Sequence, residues 1–60
     1  MTPTEIKALR LSLKLTQQDL AIILGVSVVT VTRWETGVSV PSPLAENALK
    51  SIKEQAEQKQ

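Results

Sequence analysis

Apolar positions recur three and four apart in four blocks of this chain, each bounded by residues that start or stop helices. The first block carries Ile6, Leu9 and Leu13 behind Thr2-Pro3-Thr4-Glu5. A threonine cap, a proline at the first helical position and a glutamate two residues on form a capping box, so a helix is predicted from there to about Leu13 or Lys14. The second block opens at Thr16, has Asp19 in its first turn where a negative charge suits the helix dipole, and turns Leu20, Ala21 and Leu24 inward. Gly25 can take the left-handed conformation that ends it. The third opens at Ser27, runs to about Thr36 and closes at Gly37, with Val26 and Val31 placed as a hydrophobic staple around its start. After a connector, Val38-Ser39-Val40-Pro41, the pair Ser42-Pro43 repeats the cap-then-proline start. Leu44, Ala45, Ala48, Leu49 and Ile52 then supply the stripe of a fourth helix. From about residue 53 the chain is polar apart from Ala56 and is expected to fray. The expected fold class is all-α, in a single domain over residues 1–60.

Residues 16–37 place two capped helices on either side of a glycine turn, which is the arrangement of a helix-turn-helix, a unit that offers its second helix to the DNA major groove. At about 100° per residue, Val31, Trp34 and Glu35 fall on one side of that second helix with Thr30 beside Trp34. Val28, Val29, Thr32 and Arg33 fall on the other. The first side holds the only aromatic residue of the chain and is the expected core face; the second is the candidate reading face.

Composition narrows the chemistry. A chain of 60 residues buries only about 60% of its unfolded surface and usually needs a staple. With no cysteine and no histidine, disulfides are excluded and metal binding would have only carboxylates to use, so no metal and no cofactor is expected. Efficient helix packing remains, helped by self-association. The same absences, with no tyrosine, no paired carboxylates and no glycine-rich phosphate loop, remove the usual nucleophiles and acid–base groups and argue against an enzyme. No apolar run approaches the roughly 20 residues of a membrane span, and the first ten residues lack the basic start and apolar centre of a signal peptide. A cytoplasmic location without a membrane partner is expected. Seven basic and six acidic side chains leave a net charge of +1, lower than a DNA-binding module usually carries.

The residues Leu9-Arg10, Leu15-Thr16-Gln17, Leu20-Ala21, Leu24-Gly25-Val26-Ser27, Val31, Arg33-Trp34-Glu35, Gly37 and Pro41-Ser42 resemble the Cro/repressor-type (xenobiotic-response-element, XRE) helix-turn-helix regulators, with a lambda-repressor-like fold. The resemblance runs from about residue 6 to 53. It implies a compact domain of four to five helices that binds double-stranded DNA as a sequence-specific transcriptional regulator, a repressor, with the helix at 27–36 reading the major groove. It also implies a homodimer that sets two such helices about 34 Å apart. Carried over by position, Gln17 would bond a backbone phosphate, and Ser27, Val28, Val29, Thr32 and Arg33 would line the groove. Arg33 would grip a guanine, and Val28 and Val29 would pack on thymine methyl groups. Arg10 and Glu35 match a pair that joins the first helix to the third, a structural role.

Three features depart from that pattern. Residues 38–45 carry no charge, where relatives often place a lysine or arginine on the phosphate backbone. Ile22 and Ile23 stand where polar residues are usual; one of them is expected to close the core, Leu11, Ile22 and Ile23 mark a candidate partner surface, and the Ile22/Ile23 patch and the fourth helix are the candidate dimer surfaces. Lys14 stands where glycine or asparagine would best end the first helix, at a cost of about 1 kcal/mol in a left-handed conformation. Valines on the reading face, an uncharged connector and a near-zero net charge support the alternative of a protein-interaction module or antitoxin-like partner protein with weak DNA binding.

Overall fold

Hydroxyl caps set the start of every helix. The computed structural model describes residues 1–58, and places α1 over Pro3–Ser12, α2 over Gln17–Leu24, α3 over Val28–Thr36 and α4 over Pro43–Gln58. The Thr2 hydroxyl accepts from the Glu5 amide (3.2 Å), and the Glu5 carboxylate accepts from the Thr2 amide (2.9 Å). Thr16 and Asp19 repeat this box at α2 with both bonds at 3.0 Å, so the aspartate caps the helix as well as facing its positive end. Ser27 caps α3 by accepting from the Thr30 amide (3.2 Å), and Ser42 caps α4 by accepting from the Ala45 amide (3.3 Å).

Helices α1, α2 and α3 end alike. The amides of Leu15, Val26 and Val38 each reach back five residues, to the carbonyls of Arg10, Ala21 and Arg33, each at 3.0 Å. This closure needs one residue with positive φ, supplied by Gly25 (71°), Gly37 (80°) and, for α1, Lys14 (59°). α1 therefore stops at Ser12, slightly before the expected boundary.

All four helices feed one core: Ile6 and Leu9 from α1, Leu20 and Ala21 from α2, Val31 and Trp34 from α3, Leu49 from α4. Leu13, Leu15, Leu24, Val26, Ala45 and Ile52 pack around it. α3 packs against both α1 and α2, which leaves one side of it outward.

Three expectations are corrected. Leu44 is 81% exposed and does not belong to the α4 stripe; it precedes Ala45 by one residue and so lies about 100° around the helix from it. Neither isoleucine closes the core: Ile22 is 70% and Ile23 55% exposed, because Leu20, Ala21 and the half-buried Leu24 fill that space. The polar stretch beyond Ile52 is not irregular but helical, and continues α4 to Gln58. Lysine, glutamate, glutamine and alanine all favour helix, and Ala56 remains half-buried on the stripe. The last two residues of that stretch lie outside the described residues. Among the described residues, no helix is long and apolar enough to cross a membrane.

Candidate nucleic-acid interface

Burial of Val31 and Trp34 fixes the rotation of α3. The opposite side then presents Val28 (41% exposed), Val29 (52%) and the exposed Arg33, with Thr32 half-buried at its edge. Val28 and Val29 stand in the first turn of α3, and Arg33 one turn further along. The tight closure at Gly25 holds this turn directly after α2.

A continuous set of polar contacts lies behind that face. Arg10 donates from Nε to Glu35 Oε2 (2.7 Å), from Nη2 to Glu35 Oε1 (3.0 Å) and from Nη1 to the Leu15 carbonyl (2.9 Å). Gln17 donates from Nε2 to the same Glu35 Oε1 (3.2 Å), and its Oε1 lies 2.9 Å from the Thr32 hydroxyl. That hydroxyl also lies 3.0 Å from the Val28 carbonyl, so its one hydrogen serves α2 and α3 alternately. Arg10, Glu35, Gln17 and Thr32 thereby tie α1, α2 and α3 together, and among the described residues no buried side-chain polar atom is left without a partner. Burial pushes the Glu35 carboxyl up, but the hydrogen bonds from Arg10 and Gln17 and the nearby guanidinium charge outweigh it and hold the group below its ordinary value. The bond from Glu35 raises Arg10 further above an already high value. The pair is ionised, closed on itself and adds little net field at the surface.

The other hydroxyls of α3 are similarly occupied. Ser27 and Thr30 bond each other (2.9 Å) as well as serving the cap, and Thr36 donates to the Thr32 carbonyl (2.9 Å). Among the described residues, the Arg33 side chain has no hydrogen-bond partner. Of the residues singled out in the sequence, Val28, Val29 and Arg33 stand outward with free surfaces, Ser27 is engaged at the cap, and Gln17 and Thr32 are engaged with each other. The sequence does not show the link from Gln17 to Glu35 and Thr32, since no local spacing connects position 17 to positions 32 and 35. Leu11, at 54%, is exposed like the two isoleucines. Ile23 borders a shallow hollow of about 280 Å³ with Leu15 and Ile52. A wider hollow of about 460 Å³, between α1 and the last turns of α4, is lined by Glu5, Leu9, Leu13, Lys53 and Ala56 and does not reach α3.

The sequence itself gives a family match over the elements that build this arrangement. A family model described as helix-turn-helix matches residues 6–45, from within α1 to the start of α4. No curated protein and no solved structure gives a significant match to the chain.

Proposed function

Because the chain belongs to the helix-turn-helix family of Cro/repressor (XRE) type, a family of DNA-binding regulators, we propose that it is a sequence-specific transcriptional repressor that acts as a homodimer, with α3 in the major groove. The observation that carries this reading is the outward face of α3, where one unpaired guanidinium stands a turn beyond two exposed valines on a helix braced from behind. Arg33 is then the base-reading side chain, suited to O6 and N7 of guanine. Gln17 spends one amide hydrogen on Glu35 and keeps a second for a backbone phosphate at the start of α2. Ser27 and Thr32 border the groove. Dimerisation supplies the second half-site and the staple that a chain of this size lacks. Occupancy of the site suffices for repression, and no enzymatic step is required.

Selection of bound sequences from a random duplex library tests this directly. A recovered motif with twofold symmetry supports the dimer, and Arg33→Ala should weaken binding by about 1–3 kcal/mol and relax the preference at one guanine. The exposure of Leu11, Ile22 and Ile23 favours a second reading, a surface for a protein partner. That reading takes precedence if no duplex binds even at low salt and Arg33→Ala changes nothing.

A further inference from the structure

Most of the hydroxyl hydrogens on α3 and its cap are spent inside the protein. Ser27 and Thr30 share one hydrogen bond, which uses one of their two hydroxyl hydrogens, while the Thr32 hydrogen goes to Gln17 or the Val28 carbonyl and the Thr36 hydrogen to the backbone of its own helix. Base edges in the major groove are ordinarily told apart by donor and acceptor patterns, which require free donors and acceptors on the helix. Here the outward residues offer one guanidinium and two branched aliphatic side chains, 41% and 52% exposed. An aliphatic group cannot distinguish a carbonyl from an amine by bonding to it. It can register a methyl group, and the one methyl displayed in the major groove of ordinary DNA is at C5 of thymine. Packing a valine on that methyl also removes apolar surface of both partners from water.

We propose that α3 selects its site mainly through pyrimidine C5-methyl groups, with Val28 and Val29 as the specificity-determining residues, so that 5-methylcytosine substitutes for thymine at the positions they touch. The proposal rests on the reading of α3 as the groove-entering helix. It assigns the single hydrogen-bonded base contact to Arg33 and the remaining discrimination to presence or absence of a methyl group. A valine makes no bond to O4 of thymine or to the amino group of cytosine, so it has no direct means of preferring one over the other once both carry the methyl.

The test starts from the duplex recovered by selection and changes one thymine at a time to uracil, to cytosine or to 5-methylcytosine, the last two with the partner base matched. Affinities are read by fluorescence anisotropy at one fixed salt concentration. Uracil should weaken binding about fourfold at each methyl-reading position, as expected for losing one buried methyl. 5-Methylcytosine should recover most of what cytosine loses. Val28→Ala and Val29→Ala, whose circular dichroism should match the parent, should each bring the thymine-to-uracil ratio close to one at a different position. Arg33→Ala should weaken binding and leave that ratio unchanged. Equal binding of uracil and thymine duplexes at every position overturns the proposal. So does a ratio that persists in both valine variants, because the methyl is then sensed through DNA stiffness rather than by these side chains. A selection that enriches no sequence overturns the groove-reading function itself, and the inference with it; a selected site without methyl dependence overturns the inference alone.

Discussion

Glu35 accepts hydrogen bonds from Arg10 and Gln17 at once, through a side chain only 4% exposed. Removing the carboxylate leaves a guanidinium shut into the domain without its counter-charge. Glu35→Ala should therefore lose about 3 kcal/mol, a large part of the total stability of a domain this small. Arg10→Met combined with Glu35→Leu should recover most of that loss, since an apolar pair no longer has to be desolvated. Thermal melts followed by circular dichroism compare the three; a double variant no better than the single one would make the ion pair a net stabiliser in its own right. The pH dependence has a definite sign. The Glu35 pKa is held below its ordinary value of 4.5 in the folded state. Its contribution is thus fully present above that value and disappears as pH falls through the lower folded pKa. Melting temperature should fall on acidification below about pH 4.5, and fall less steeply in the Arg10→Met, Glu35→Leu double variant. The sequence shows Arg10 and Glu35 as partners only through family resemblance. It does not show Gln17 as their neighbour, because that contact exists only once α2 has been set across α3.

Helix starts were legible because a cap is local: a hydroxyl and the acid or amide three residues later need nothing from the rest of the chain. Stops were legible for the same reason at Gly25 and Gly37, and at Lys14 as an anomaly. The shared closure makes a paired prediction. Lys14→Gly relieves a left-handed side chain (φ 59°) and should raise stability by up to about 1 kcal/mol. Gly25→Ala puts a side chain at φ 71° and should lower it by about 1 kcal/mol. A Cβ at Gly25 meets nothing within 4 Å, so the loss would be one of backbone conformation alone. Denaturant midpoints of the two variants should move in opposite directions, and movement the same way would show that the closures are not equivalent. What local pattern misjudged was phase and support. Leu44 sits one position out of register with the stripe, and the polar end of α4 is steadied by Ala56 and by its own helix-forming residues.

At the scale of the whole molecule, charge and face are decoupled. Net charge is +1, Arg10 is neutralised by Glu35, and residues 38–45 are uncharged, so Arg33 is the only cation on the outward side of α3. With Arg33 as the one cation there, at most about one phosphate charge is neutralised per subunit from this face, and the logarithm of affinity should fall with the logarithm of salt at a slope near −1 per half-site. Anisotropy titrations between 50 and 200 mM salt, roughly the range over which such slopes are usually read, give the value. A slope of about −3 or steeper would mean that lysines on other helices grip the backbone. The fold class and the identity of the outward helix could be read from sequence because both follow from helical periodicity. The exposure of both isoleucines could not, because it depends on how much core volume Leu20, Ala21 and Leu24 already occupy. The closed polar circuit of Arg10, Glu35, Gln17 and Thr32 has one more consequence. It holds α3 in place without involving the side chains of Val28, Val29 or Arg33, so these three side chains can be exchanged without breaking the circuit that braces the helix. On the proposed groove-reading role, a new address on the genome would follow from changes at these three positions, with the polar circuit that braces the helix left intact.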